Sequence, residues 1–303
     1  MSWRGQIIFA DNLDVLRSIE GGSIDLIYID PPFNTGGKQW RRRLRAESDP
    51  NGDRVGFAGR RYRTTVLGSL AYEDAFDNYL AFLQPRLEEA HRILAPHGSL
   101  YLHIDYREAH YVKIMLDRIF GRTAFINEII WAYDYGGRSR RRWPAKHDTI
   151  FFYAKDPERY FFDADAVERI PYMAPTLVGP RKASRGKLPT DVWWHTIVPT
   201  NSHEKTGYPT QKPLGILRRI IQASSRPGDL VLDFFAGSGT TGIAAWELGR
   251  RFILVDNNPN ALAIMAQRFA HIPDVEWINF DPSPYRPPHA TPVRRHPLRS
   301  WSE

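Results

Sequence analysis

The chain has 303 residues, 42% of them hydrophobic and 25% charged, which is ordinary globular composition with room for one large domain or two small ones. It contains no cysteine, which excludes disulfides, cysteine-ligated zinc and any thiolate nucleophile. A formal charge of +7 with a pI of about 9.6 favours a polyanionic partner, and no apolar run is long enough to span a bilayer. The N-terminus lacks the apolar core of a secretion signal, so the expectation is a cytoplasmic protein without membrane association.

In chain order, Gln6-Ile7-Ile8-Phe9 reads as a short strand ending at Asp11-Asn12, followed by a helix from Leu13 to Ile19 that Gly21-Gly22 breaks. The apolar run Asp25-Leu26-Ile27-Tyr28-Ile29 is a second strand, and Asp30-Pro31-Pro32-Phe33 stands at its exit. Two prolines can simply end a strand, but open α/β sheets also place their sites at the carboxyl ends of strands. Residues 36–70 are rich in Arg and Gly with little periodicity and read as a long basic loop. Phe76, Leu80, Leu83, Leu87, Ala90 and Leu94 then draw one helical stripe, stopped by Pro96-His97-Gly98. A strand at Ser99–Ile104, a helix from Glu108 to Phe120 and strands around Ile126–Tyr133 and Thr149–Tyr153 follow. Residues 155–205, rich in Pro, Arg, Lys and Trp, interrupt this rhythm as an irregular insert. The α/β alternation resumes with a helix near Pro213–Ala223, the strand Leu230–Phe235, a glycine loop, a helix over Thr240–Leu248, the strand Arg251–Asp256 and a last helix over Asn260–Ala270. From Pro282 the chain is Pro- and Arg-rich and reads as a mobile tail. The alternation predicts an α/β fold with a doubly wound, mostly parallel sheet.

Arginines cluster at Arg41-Arg42-Arg43, at Arg60-Arg61 and at Arg140-Arg141-Arg142, with Trp40, Tyr62, Tyr135 and Trp143 nearby. Any one cluster reads equally well as a solvated loop. Three together favour nucleic acid, because guanidinium groups neutralise phosphates and aromatic faces stack on unpaired bases.

Ala236-Gly237-Ser238-Gly239-Thr240-Thr241-Gly242 follows a strand and opens a helix, and Asp256 ends the next strand. Taken literally this is the G-x-G-x-x-G fingerprint of a dinucleotide site, so a nicotinamide-dependent oxidoreductase is one reading. Asp233 argues against it, since a carboxylate just before the loop repels a pyrophosphate and suits a ligand that carries an ammonium group. Only one strand and one helix are expected after the loop, too little for a second mononucleotide half. S-adenosylmethionine (AdoMet) fits better, with Asp256 on its ribose hydroxyls.

With Asp30-Pro31-Pro32-Phe33 preceding Phe235-Ala236-Gly237-Ser238-Gly239, the chain resembles the amino-methylating DNA methyltransferases of the permuted β group, in which a D-P-P-F/Y motif comes before F-x-G-x-G. Asp11-Asn12-Leu13, Thr210-Gln211-Lys212-Pro213 and His147–Tyr153 match further elements of that pattern in order. The Arg-rich stretch after Trp40 is longer and more basic than the pattern, and the chain beyond Pro282 lies outside it. The resemblance implies a Rossmann-like catalytic domain over residues 1–281, with the basic loop at 36–70 and a target-recognition insert at 155–205. It also implies AdoMet bound by Asp11, Asp30, Lys212, Asp233, Phe235, Ala236, Gly237, Ser238, Gly239, Thr240, Asp256 and Asn257. Catalysis falls to Asp30, Pro31, Pro32 and Phe33: the Asp30 carboxylate and the Pro31 carbonyl accept the hydrogens of an exocyclic amine, and Phe33 stacks on a base flipped from duplex DNA. Methylation at a cytosine ring carbon requires a thiolate, so an amine is the acceptor. Asp at the first motif position goes mostly with adenine N6 and Ser mostly with cytosine N4, so adenine is expected. Cytosine N4, RNA or protein amide methylation, and a nucleic-acid binder without activity are the other readings. Partners are expected to be double-stranded DNA, with a restriction endonuclease and a homodimer left open. The ten histidines show no H-x-x-x-H spacing, so no metal is implied.

Overall fold

A computed structural model describes residues 4–34, 37–51, 54–55, 59, 61–74, 76–135, 139–199, 202–288 and 294–295. The chain opens with β1 (Gly5–Phe9), α1 (Asn12–Ser18) and β2 (Ile24–Ile29). Asp11 ends the first strand and starts the helix at once, its carboxylate accepting from Leu13 N at 2.8 Å. After β2 come β3 (Gly37–Ser48), β4 (Arg54–Val55) and β5 (Arg61–Asp74), then α2 (Tyr79–Ile93), β6 (Leu94–Ile104), α3 (Ala109–Phe120), β7 (Phe125–Ala132) and β8 (His147–Ala154). The 155–205 segment holds two short helices, α4 (Pro175–Val178) and α5 (Pro180–Arg185), and β9 (Val192–Trp194). The last part is α6 (Leu214–Ser224), β10 (Leu230–Asp233), α7 (Thr240–Glu247), β11 (Arg251–Asp256), α8 (Pro259–Arg268), β12 (Val275–Ile278) and β13 (Arg294–Arg295).

Ten strands form one sheet in the order β13-β12-β1-β11-β10-β2-β6-β8-β7-β9. Every pairing from β13 to β6 is parallel; β8 alone runs the other way, antiparallel to both neighbours, and β9 is parallel to β7. The doubly wound, mostly parallel sheet expected from the sequence is present. Alternate residues of each central strand feed opposite layers. Leu26 and Tyr28 pack with α6, α7 and α8, whereas Ile27 and Ile29 pack with α1, α2 and α3. Each such Ile or Leu, fully buried, stabilises the fold by about 1.5–3 kcal/mol. Two-sided burial is why these strands read as continuous apolar runs.

Four expectations need correction. Residues 36–70 are not a loop: β3, β4 and β5 make a separate antiparallel sheet in which β5 is the central strand. Arginine density hid strand formers such as Thr64, Thr65 and Val66. The strand at 99–104 starts earlier, at Leu94, and runs through Pro96-His97-Gly98 with a register shift against β2. Gly98 permits this, since a Cβ there would lie 2.9 Å from the Ile24 carbonyl oxygen. Trp194 and its neighbours in the insert form an edge strand rather than irregular chain. Finally, β12 follows the last helix, so two strands with a helix between them, not one strand, come after the glycine loop and precede the tail. Past Pro282 the chain is still tied to the body: Arg286 donates to the Ala270 carbonyl at 2.5 Å, and Arg294–Arg295 pair with β12.

The crossover from β2 to β6 carries α2 on one face, and the crossover from β10 to β11 carries α7 on the other. Neighbouring strands β2 and β10 therefore send the chain away in opposite directions. A crevice at their carboxyl ends is the expected ligand site of such a sheet.

Candidate active site

That crevice holds a cavity of ≈ 680 Å³, within the roughly 300–1,000 Å³ of small-molecule sites. Four carboxylates stand at its edge because four parallel strands end there: Asp11 after β1, Asp30 after β2, Asp233 at the end of β10 and Asp256 at the end of β11. Pro31, Pro32, Phe33, Lys212, the Phe235–Ser238 run, Thr240 and Asn257 also line it. The two motifs, some two hundred residues apart in sequence, thus share one cavity. Gly239 is a predicted site residue that does not line it. It sits behind the loop at φ 75°, where a Cβ would lie 2.7 Å from the Phe269 ring.

Asp30 is the most constrained member. Its Oδ2 is paired with the Lys212 ammonium, and the side chains are 15% and 11% exposed respectively. Lys212 Nζ also stands 5.1 Å from the centroid of the Phe33 ring. Asp30 Oδ1 is buried without a hydrogen-bond partner, 3.6 Å from Nδ1 of the fully buried His103. Phe33 packs on the same imidazole at 5.6 Å between centroids.

The glycine loop is held by its own carboxylates. Asp233 accepts from Thr241 Oγ1 at 2.6 Å and from Phe235 N at 3.0 Å, and burial pushes its carboxyl up to about 7. Asp256 accepts from Gly237 N at 2.7 Å and Asn258 N at 2.8 Å; burial raises it to about 6 against those bonds. Arg268 of α8 closes the back, donating to Ser238 O at 3.0 Å and Thr240 Oγ1 at 2.9 Å, and burial lowers its guanidinium to about 10.

Several residues at the site were not legible in the sequence. Arg86 of α2 is buried; its Nε donates to Asn12 Oδ1 at 2.6 Å and its Nη2 meets Asp11 Oδ2 at 3.2 Å. Asn12 in turn donates to Phe234 O at 2.8 Å, so the ends of β1 and β10 are tied through one guanidinium. Behind Asp30, Tyr28, His103, Asp148 and Tyr133 form a hydrogen-bonded chain. Burial pushes the Asp148 carboxyl up, but the bonds and charges of His103, Lys212 and Tyr133 outweigh it and hold the group below its ordinary range. The one available signal was a histidine, His103, inside the apolar strand Ser99–Ile104.

The predicted arginines are spread more widely. Arg140, Arg141 and Arg142 are exposed on the loop before β8, at the same sheet edge as Asp30, and Arg142 borders a second cavity of ≈ 270 Å³. Arg61 is exposed at the start of β5. Arg41, Arg42 and Arg43 lie on β3, their side chains outside the described residues, as is Arg60 altogether. Asp25, His97 and Asp229 bring ligand atoms within 4.8 Å of one another at the opposite sheet edge. Both Asp25 oxygens are taken there, by His97 and by Leu230 N. Among the described residues no helix is long and apolar enough to cross a membrane.

Residues 24–267 match the family described as DNA methylase. The chain belongs to that family. Type II methyltransferase M.HpaI of Haemophilus parainfluenzae is 31% identical over 278 residues, covering 91% of this chain and 76% of the relative. DNA adenine methyltransferase YhdJ of Escherichia coli (strain K12) is 32% identical over 270 residues, covering 86% and 81%. The fold is shared with the PvuII cytosine-N4-specific DNA methyltransferase, at a TM-score of 0.62 and 18% identity over 93% of this chain and 90% of that one. Membership of a DNA methylase family removes the nicotinamide oxidoreductase reading, despite the literal glycine fingerprint.

Proposed function

We propose that this DNA methylase transfers the methyl group of AdoMet to the exocyclic N6 of an adenine flipped from duplex DNA at a specific site. The observation that carries the reading is that one cavity joins Asp30 to the glycine loop. When bound, AdoMet supplies an electrophilic methyl group on a sulfonium. Asp233 offers a carboxylate to its ammonium and Asp256 one to its ribose; Asp11, Phe235 to Ser238, Thr240 and Asn257 wall the rest, and Lys212 pairs with Asp30 and holds it in place. Asp30 and the Pro31 carbonyl accept the two amine hydrogens and so localise a lone pair that otherwise delocalises into the ring. The prolines fix those acceptors and Phe33 supplies a stacking face. The insert at 155–205 reads the target sequence, while Arg41–Arg43, Arg60, Arg61 and Arg140–Arg142 hold phosphates.

Adenine is favoured over cytosine by Asp at the first motif position and by the YhdJ relative, named for adenine. The test is expression in a methylation-free host with nucleoside analysis and mapping of modified bases. N6-methyladenine at one recurring motif, absent from Asp30→Ala cells, is the expected result; N4-methylcytosine, or no modified base from a folded protein, overturns it. The mapped motif also tests an endonuclease partner, which must cut it only when unmethylated, and sedimentation tests the homodimer.

A further inference from the structure

The buried chain behind Asp30 has hydrogens that can be assigned. Tyr28 hydroxyl lies 3.0 Å from His103 Nδ1, His103 Nε2 lies 3.1 Å from Asp148 Oδ2, and Tyr133 donates to Asp148 Oδ1 at 3.0 Å. Burial, and the carboxylates of Asp30, Asp233 and Asp148, keep the Tyr28 hydroxyl protonated far beyond its ordinary range. The Asp148 carboxylate, held ionised by its partners, can only accept, so in the neutral ring Nε2 is the donor and Nδ1 is left to accept from the Tyr28 hydroxyl. The ring hydrogen sits on Nε2 and donates to Asp148.

The consequence falls on Asp30. Its buried, unpartnered Oδ1 faces Nδ1 at 3.6 Å, so two acceptor atoms confront each other with no hydrogen between them. An orphaned buried oxygen in a native protein calls for an explanation, and a catalytic role is one. We propose that this gap is a proton site, and that His103 receives through Asp30 the proton that methylation releases from the amine. The inference rests on Asp30 being the acceptor of the amine hydrogens.

The step balances. The nitrogen lone pair forms the new N–C bond, the electron pair of the broken C–S bond stays on sulfur, and the nitrogen becomes cationic. It gives up one hydrogen as a proton to the Asp30 carboxylate. The carboxyl group passes that proton to His103 Nδ1 and is a carboxylate again. The imidazolium then donates from Nδ1 toward Asp30 and the Tyr28 oxygen, and from Nε2 to Asp148. Phe33 and Trp131, with ring centroids 5.6 and 5.4 Å from the imidazole, shield it from water. Facing the ring are Tyr28 from β2, Asp30 just past its end and Asp148 from β8, and behind them Tyr133, Lys212 and Asp233. Asp148 and Tyr133 border the second cavity with Arg142, which gives the proton an exit after product release. His103 touches Asp30 and not the base, so it is a positioning residue.

The test uses the full chain and compares wild type with H103Q, D148N and D30N. Nitrogen NMR of the imidazole in the free protein should show Nδ1 without a hydrogen. In single-turnover methylation of duplex DNA, H103Q should slow transfer by about tenfold or more. AdoMet binding by calorimetry should stay within about twofold, and the loss of rate in acid should move to lower pH because the shared proton site is gone. D148N, at the less buried end, should act in the same direction if H103Q does not fold. A hydrogen on Nδ1 in the free protein, or wild-type rate and pH profile in a folded H103Q or D148N, overturns the proposal. D30N separates the two ideas: turnover retained there sinks the role of Asp30 itself, whereas D30N inactive beside an unaffected H103Q sinks the proton site alone.

Discussion

Lys212 and Asp30 stand 182 positions apart in the sequence and meet as an ion pair on the cavity wall. Both are mostly buried, so each supplies the other's principal counter-charge. Removing one partner of such a pair strands the other charge, at a cost of about 3–5 kcal/mol when burial is complete. With the residual exposure here, K212M should cost on the order of 2 kcal/mol. The D30N/K212M double variant should be less destabilised than the two single losses added, because neither charge is then left alone. Urea denaturation of the four proteins measures this; strict additivity refutes it. D30N should also slow methyl transfer by about 10²-fold or more, the size of one lost preorganised charge-stabilising group.

Cofactor affinity should depend on pH through Asp233. Burial raises its carboxyl to about 7, with Asp30 and Asp256 adding to the rise and Thr241 and Phe235 opposing it. A carboxyl raised in the folded state binds its proton more tightly than in the unfolded chain. Its contribution to stability is therefore complete below the unfolded value near about 4 and is lost as pH rises through about 7. An ammonium on the ligand favours the opposite form, the carboxylate. AdoMet binding should thus strengthen as pH rises to about 7, by up to about tenfold per unit, and level off above. Calorimetry at neutral pH in buffers of different ionisation enthalpy should show proton release, and D233N should abolish both the release and the pH step.

Much of the site was written in local chemistry. Asp30, Asp233 and Asp256 each end an apolar run, and two-sided burial made those runs visible, so the strand ends and their carboxylates could be placed without coordinates. The basic sheet at 37–74 was hidden for the converse reason. It forms apart from the main sheet, so its strands lack the buried-strand apolar run that marks β2 or β11. His103, Arg86 and Arg268 were missed because their significance lies in distant partners. Arg86 reads as a polar residue on an amphipathic helix until Asn12 and Asp11 are brought to it from 74 and 75 positions away. Strand β12 escaped because four residues are too short a run to stand out from a turn.

The Arg86 cluster makes a prediction of its own. R86M keeps most of the volume but leaves the buried Asn12 Oδ1 without its donor and Asp11 without its guanidinium. Unsatisfied buried acceptors cost about 1–3 kcal/mol each. The variant should lose on the order of 1–3 kcal/mol in urea melts. Its AdoMet affinity should also fall, since Asp11 and Phe234 are no longer tied together at the cavity. R86M with wild-type stability would show that the guanidinium network is not structural.

Gly239 tests the backbone of the loop. At φ 75° an L side chain is strained, and a Cβ would press on Phe269 at 2.7 Å and Met265 at 3.0 Å, both in the core. Gly239→Ala combines that strain with overpacking and should destabilise by about 2–4 kcal/mol. Gly249 has nearly the same φ and open space around it, so Gly249→Ala should cost only about 1 kcal/mol. Equal losses in thermal melts would mean that conformation alone, and not the packing of the glycine loop on α8, sets the requirement.

DNA affinity supplies the last prediction. Arg140, Arg141 and Arg142 are exposed beside Trp143, which is 94% exposed, on the loop that enters β8 at the Asp30 edge of the sheet. If each guanidinium neutralises one phosphate of a bound duplex, each contributes about 0.9 to the slope of log affinity against log salt. Replacing all three by Ala should therefore lower the magnitude of that slope by about 2–3 and weaken binding about equally across DNA sequences. The base that is methylated and the mapped motif should not change, because phosphate contacts position the protein without reading sequence. Filter binding or fluorescence anisotropy over a salt series measures the slope. An unchanged slope would detach this loop from the DNA backbone, and a changed motif would move it into the target-reading surface instead.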